Sequence, residues 1–150
     1  GLRVSEIAAL KIGVVLNTDK TVKDHIALAA EYTKSNDARV VFMNDKLQKE
    51  ITQYVISFSA LDFDAPLIST QKRKAFSANT MCQLFMDLYS KAGINGASSH
   101  SGRRSFITKL AHNGVSAKVI MTLAGHKHLS TTQRYIDVND EMMRKAVQVL

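Results

Sequence analysis

The residues able to do chemistry in this chain are concentrated in one polar stretch, Ser99–Val138. His100 and Arg103 open an apolar helical pattern, and their i, i+3 spacing places both side chains on one helix face. An arginine at such a position can bind two oxygens of an anion at once, which a lysine cannot. His126 follows Gly125, the stop signal of a second helical pattern, where a change of chain direction can admit polar side chains into a cleft.

Tyr135 comes after a Ser-Thr-Thr helix-start signal. The phenol of a free tyrosine has a pKa of about 10, so a tyrosine must be activated before it can act as a nucleophile. Near the start of the chain, Arg3 and Glu6 are also i, i+3 and share a face. Taken singly, each residue has an ordinary explanation, namely core packing or a surface ion pair. Their combination and their order along the chain are much more specific than any one of them.

The combination resembles the phage-integrase, or tyrosine recombinase, family over nearly all of the 150 residues. The family's Gly-Leu-Arg-x-Ser-Glu, hairpin lysine, His-x-x-Arg, Gly-His and tyrosine correspond here to Gly1–Glu6, Lys34, His100 with Arg103, Gly125-His126 and Tyr135. The family commonly has Thr-Lys-Gly at the hairpin turn. Ser35 replaces that glycine here, a mild departure.

The resemblance implies DNA strand cleavage and rejoining through a 3′-phosphotyrosyl bond. Tyr135 would be the nucleophile, and Arg3 and Arg103 would hold the phosphodiester charge as the transition state forms. Because two arginines supply that charge, neither a metal ion nor another cofactor is expected. Because the phosphotyrosine conserves the bond energy, no ATP is expected either.

The remaining roles also follow from the resemblance. His100 would accept the tyrosine proton or hydrogen-bond the phosphate, and His126 would donate to a nonbridging oxygen. Lys34 would protonate the departing 5′-oxygen from a mobile hairpin. Glu6 would orient Arg3 or a histidine.

Charge and composition agree with a polyanionic partner. The formal net charge is +7 and the pI about 9.6, which suits nucleic acid or an acidic membrane surface. Of these, the resemblance implies double-stranded DNA. The run Gln71–Lys74 is either a solvated loop or a set of phosphate contacts, and Arg104 points about 100° away from Arg103. The predicted DNA-binding residues are Lys72, Arg73, Lys74 and Arg104.

The lone Cys82 excludes an intramolecular disulfide and favours a reducing interior, and no apolar run approaches a membrane span. We therefore expect a cytoplasmic protein, and the resemblance implies that it is bacterial or phage-encoded and associated with the nucleoid. Residues 1–150 are predicted to form one catalytic domain. The abrupt start inside a helical pattern predicts a piece of a longer protein, and the resemblance implies that this protein also has an amino-terminal DNA-binding arm and the first catalytic helices. Family resemblance also implies tetramers on DNA, joined by the amphipathic segment Glu141–Leu150.

Periodicity predicts an α+β, predominantly helical fold with a small antiparallel three-stranded sheet. The strands are predicted at Lys11–Leu16, His25–Tyr32 and Arg39–Met43. Helices are predicted at residues 1–10, 46–58, 77–92, 98–113, 116–125 and 141–150, with a further one starting at Ser130 and carrying Tyr135.

Three alternatives remain open at this point. The stretch from Leu110 to Ile136 also fits a helix-turn-helix regulator without catalysis, which would leave Arg3, Lys34 and Tyr135 without a role. A type IB topoisomerase would use similar catalytic residues. A metal site at His126 and His128 is a weak possibility, because no carboxylate or cysteine is placed to converge on it, and His128 is interpreted as a surface residue.

Overall fold

The computed structural model describes residues 1–33, 37–58 and 60–149. Within these ranges the chain forms eight α-helices and one two-stranded sheet, so the predicted α+β, predominantly helical class is confirmed. The helices are α1 Val4–Ala8, α2 Ile12–Val15, α3 Asp45–Ile56, α4 Ala78–Lys91, α5 Ser101–His112, α6 Ala117–Ala124, α7 Leu129–Gln133 and α8 Asp140–Val147.

The sheet pairs β1 (His25–Leu28) with β2 (Arg39–Phe42) in antiparallel register, with Leu28 opposite Arg39. The predicted third strand, Lys11–Leu16, is wrong, because this segment forms α2. Its β-branched residues suggested a strand, but single bridges pair only its two ends, to Pro66 and to Val22. Between those bridges the chain makes one helical turn that buries Ile12 and Val15 in the core, which local propensity could not foresee.

Side-chain caps start four of the helices, as their sequences indicate. Asn44, Ser77, Ser116 and Asn139 each accept a hydrogen bond from a backbone N–H in the first turn of the following helix. The ends are equally local, since Gly114 and Gly125 both adopt positive φ after α5 and α6. Helices α3, α4 and α6 therefore begin and end within two residues of their predicted positions, whereas α8 ends at Val147, three residues before its predicted end.

Three boundaries near the site differ from the predictions. Helix α1 begins at Val4 and not at residue 1, so Arg3 is its N-cap. The central helix α5 begins at Ser101 and not at residue 98. His100 is therefore the residue just before the helix, and its backbone conformation is helical. Helix α7 begins at Leu129, which places Ser130 inside it rather than at its cap. Since α7 ends at Gln133, Tyr135 lies on the loop beyond it and not on a helix.

The core consists of three apolar clusters. One joins α2, the sheet and α3, a second joins α1 to α4 around Met81, and a third joins α5 to α6 around Ile107 and Ile120. Cys82 is half-buried beside the second cluster, and its thiol lies 3.4 Å from the Ser99 hydroxyl, in keeping with a packing role. Across the described residues, no helix combines the length and apolar character needed to cross a membrane.

Helix α8 is held loosely against the rest of the chain. None of its residues is buried, and Val147 and Val149 are largely exposed. A groove between α8 and the end of α5 is lined by Ala111, Val115, Ile136, Met142 and Ala146. The predicted amphipathic helix is therefore present, but its apolar face is only partly covered within this chain.

We expect deletion of residues 141–150 to lower the melting temperature by less than about 4 °C, because little apolar area is lost. As a control, Ile120→Ala removes a fully buried side chain from α6, so it should cost about 2–5 kcal/mol and lower the melting temperature much further. Thermal unfolding followed by circular dichroism measures both. A truncated chain that is unfolded at room temperature would show that α8 belongs to the core.

Candidate active site

The candidate site is built around Glu6, which is fully buried. The backbone N–H of Arg3 donates to Oε2 of Glu6 at 2.6 Å, and Nη1 of Arg3 donates to Oε1 at 3.0 Å. Nη2 of Arg39, at the start of β2, donates to Oε2 at 2.7 Å. One carboxylate thus orients two guanidinium groups, one from the entry to α1 and one from the sheet. A buried carboxylate requires such partners, because its desolvation is otherwise very costly.

The end of α6 supplies backbone acceptors for the cluster. Arg103 projects from α5 and donates to the carbonyls of Gly1 and Ala124, while Nη2 of Arg3 donates to the carbonyl of Gly125 at 2.9 Å. The last carbonyls of a helix have no partner within the helix and carry the negative end of its dipole. They are therefore suited to fixing the positions of guanidinium groups.

Arg103 remains a cation in this environment. Burial, followed by repulsion from Arg3, lowers the pKa of its guanidinium to about 10. At neutral pH it is still protonated. The cluster of Arg3, Arg39 and Arg103 therefore carries three positive charges against the single charge of Glu6, and the excess suits an anion.

His126 and Tyr135 are placed by Thr132, which is fully buried on α7. The Thr132 hydroxyl lies 2.8 Å from Nδ1 of His126, and the Thr132 carbonyl accepts the backbone N–H of Tyr135 at 3.0 Å. The two rings stack, with centroids 6.2 Å apart and planes inclined by 23°. One residue of α7 therefore fixes the histidine through its side chain and the tyrosine through its backbone.

The His126 imidazole is neutral at physiological pH. Burial, followed by repulsion from Arg103, Arg3 and Arg39, lowers its pKa to about 4. A neutral imidazole has one N–H donor. When the Thr132 hydroxyl donates to Nδ1, the hydrogen resides on Nε2, which then serves as a hydrogen-bond donor without adding charge.

The structure brings together Arg3, Glu6, Arg103, His126 and Tyr135 from opposite ends of the chain. The predicted contact between Arg3 and Glu6 is a buried interaction rather than a surface ion pair. His128 is exposed, as predicted from the sequence.

The remaining predicted residues are either exposed or outside the described ranges. His100 is exposed at the entry to α5, and Arg104 is exposed on α5. Lys34, Ser35 and Asn36 lie outside the described residues. The basic run forms a tight exposed turn between bridged Ser69 and Ala75, and it presents Lys72, Arg73 and Lys74 to solvent.

Sequence reasoning missed Arg39 and Thr132. Arg39 was predicted only as the start of a return strand, and Thr132 only as part of a helix-start signal. The one local signal for Arg39 is a long cation at the head of the otherwise apolar strand Arg39–Phe42. No local signal marks Thr132, because its role depends on contacts across the turn between α6 and α7.

The fold is that of a tyrosine recombinase catalytic domain. The model of the phage integrase family matches residues 1–142, and the chain belongs to that family. The tyrosine recombinase XerA of Pyrococcus horikoshii is 32% identical over 152 residues, covering 99% of this chain and 50% of the relative. The chain thus spans about half the length of the curated relatives that it matches.

Solved structures agree on the fold. A crystal structure of XerA recombinase matches with a TM-score of 0.74 and 28% identity, covering 97% of this chain and 51% of that one. The Tn1549 transposon integrase, solved in complex with transposon right end DNA, matches with a TM-score of 0.70. At 18% identity, with 98% of this chain and 54% of that one covered, the latter match concerns the fold alone.

We expect Gly125→Ala to destabilise the protein more than Gly114→Ala. Both glycines have positive φ, of 65° and 77°, so both substitutions carry a backbone cost of about 1 kcal/mol. A Cβ at position 125 would also lie 2.9 Å from Cδ and Cζ of Arg39, whereas one at position 114 would meet nothing within 4 Å. Denaturant unfolding measures the difference, which we expect to exceed about 1 kcal/mol. Equal losses would mean that Arg39 moves aside freely.

Proposed function

We propose that this protein cleaves and rejoins DNA strands through a covalent bond between Tyr135 and a 3′-phosphate. The Tyr135 oxygen attacks phosphorus, the 5′-oxygen leaves with a proton, and reversal of this step rejoins the strand. The observation that carries the proposal is the convergence of Arg3 and Arg103 on the end of α6, beside the stacked His126 and Tyr135. The reaction is proposed to need no metal ion and no ATP.

Arg3 and Arg103 suit the two nonbridging oxygens. The hydrogen bonds of the Arg3 side chain to Glu6 and Gly125 use two of the five N–H hydrogens of a guanidinium, and Arg103 likewise uses two. The remaining hydrogens are available to a phosphate, while the bonds already formed hold each fork in place before the reaction. Such preorganised charge is the largest contribution expected when a pentavalent phosphate develops.

Proton transfer and hydrogen bonding to the phosphate are proposed for three residues. His100, at the entry to α5, is proposed to accept the Tyr135 proton or to hydrogen-bond the phosphate. Neutral His126 is proposed to donate to a nonbridging oxygen, and Lys34 to protonate the 5′-oxygen. Glu6 orients Arg3 through the bonds described above.

Double-stranded DNA is the proposed partner. A net charge of +7 and four exposed cations support it: Lys72, Arg73 and Lys74 on their turn, and Arg104 on α5. The proposed location is the cytoplasm, in association with the nucleoid. The helix-turn-helix regulator is not favoured, because it leaves the buried Arg3–Glu6 pair and the His126–Tyr135 stack without a role. The family match over residues 1–142 likewise favours a recombinase over a type IB topoisomerase.

Assembly into a tetramer on DNA is proposed to use α8. The helix has no buried residue, and its partly covered apolar face remains open to a neighbouring protomer. The deletion of residues 141–150 should therefore preserve single-site DNA binding and weaken synapsis. The mass of the complexes on DNA tests this, and truncated chains that still form tetramers would place the protomer contact elsewhere.

Tyr135→Phe should abolish covalent attachment to a suicide DNA substrate while leaving DNA affinity within about threefold. Phenylalanine keeps the ring that stacks on His126 and removes only the attacking oxygen. Denaturing gel electrophoresis detects the adduct, and fluorescence anisotropy measures binding. Tyr54→Phe on α3 is the matched control and should cleave as the wild type does. A phenylalanine variant at position 135 that still forms a protease-resistant adduct would remove this tyrosine from the role.

The loss of cleavage in Lys34→Ala should be reversed by a substrate with a bridging 5′-thiolate. A sulfur leaving group needs no proton, so the general acid becomes dispensable. Arg3→Ala should remain inactive on both substrates, because its loss affects the phosphate charge itself. Single-turnover cleavage rates on the oxygen and sulfur substrates provide the comparison. If Lys34→Ala fails equally on both, Lys34 is a phosphate contact and the acid is another residue.

A further inference from the structure

Arg39 is a buried cation to which the proposed roles assign no task. Its side chain is 11% exposed, although it opens a strand at the edge of a two-stranded sheet. Its Nη2 donates to Glu6 at 2.7 Å, while Nε and Nη1 are buried without a hydrogen-bond partner among the described residues. Burying a long cation in this way costs free energy, so its position calls for a compensating contribution.

The guanidinium of Arg39 lies between two parts of the site. On one side it contacts Glu6, which also holds Arg3. On the other it lies against Gly125, so closely that a Cβ there would collide with it. The Gly125 carbonyl is itself an acceptor for Arg3, and the next residue is His126. Arg39 is therefore in contact with the residues that orient Arg3 and with the turn that carries His126.

We infer that Arg39 is a positioning residue for the proposed strand transfer: beside the Gly125 turn, it shares the charge of Glu6 with Arg3. This inference rests on the proposed function. With both arginines present, the group formed by Arg3, Arg39 and Glu6 has a net charge of +1. Without Arg39, the Glu6 carboxylate is paired with Arg3 alone, and the net charge of that pair is zero. Arg3 would then attract a phosphate less and would be drawn more firmly toward the carboxylate.

The position of Arg39 in the chain gives the contact a second consequence. Arg39 begins β2, the return strand that follows Lys34 in the sequence. Its bond to Glu6 anchors the start of that strand to α1. The repulsion that Arg39 exerts on the His126 imidazole also contributes to the low pKa of that ring. One side chain thus acts on three parts of the site without touching the reacting atoms.

The test compares Arg39→Met, which removes the charge, with Arg39→Lys, which retains it. The measurements are the single-turnover rate of adduct formation on a suicide substrate, the DNA affinity and the melting temperature. We expect Arg39→Met to slow cleavage at least about tenfold while changing affinity less than about threefold, and Arg39→Lys to recover most of the loss. Lys49→Met, which removes an exposed cation from α3, is the control and should cleave as the wild type does.

A double-mutant cycle with Glu6→Gln separates charge sharing from packing. If Arg39 acts by sharing the charge of Glu6, its loss should cost less than about threefold in the Glu6→Gln background. This double variant buries no unpaired carboxylate, so it remains informative if Arg39→Met alone does not fold. An equal loss in both backgrounds would overturn the assignment, as would an Arg39→Lys variant as slow as Arg39→Met. A wild type that forms no adduct would overturn the proposed function itself, whereas a wild type and Arg39→Met that cleave equally would overturn only the role of Arg39.

Discussion

The arrangement of the site depends on the burial of the Glu6 carboxylate between two guanidinium groups. A carboxylate out of contact with water must be paired, and its two oxygens accept three hydrogen bonds here. The donors come from the entry to α1 and from β2, so the pairing requires these elements to meet at one point. Since Arg3 is also bonded to Gly125, the same contact brings the end of α6 to that point.

The end of α6 is the second half of this arrangement. Its last carbonyls would lack partners in an isolated helix, and here they accept bonds from Arg3 and Arg103. The left-handed Gly125 allows the chain to turn immediately afterwards, which delivers His126 beside Thr132 and Tyr135. The cations are thereby fixed by backbone atoms and by one carboxylate, which leaves further donor hydrogens for a phosphate.

The rigid and loose parts of the chain are distributed unequally around this site. Helices α5 and α6 share a fully buried apolar cluster, and both hold residues of the candidate site. Helix α8, after Tyr135, has no buried residue and borders an open groove. A firmly packed support with a weakly held carboxy-terminal helix agrees with the proposed assembly through α8.

The sequence by itself determined most of the helices and the identity of most candidate residues, because caps and glycine stops are local properties and the order of motifs can be read along the chain. Asn44, Ser77, Ser116 and Asn139 mark helix starts that the structure confirms. The tertiary structure decided what depends on distant partners. Within Lys11–Leu16 the chain forms a short helix between two isolated β-bridges, where a strand was predicted. Tyr135 lies beyond the end of α7 and not within it. The tertiary structure also buried Arg39 against Glu6, across 33 residues of sequence. The sequence shows that an arginine carries a positive charge, but only the tertiary structure determines which carboxylate it pairs with.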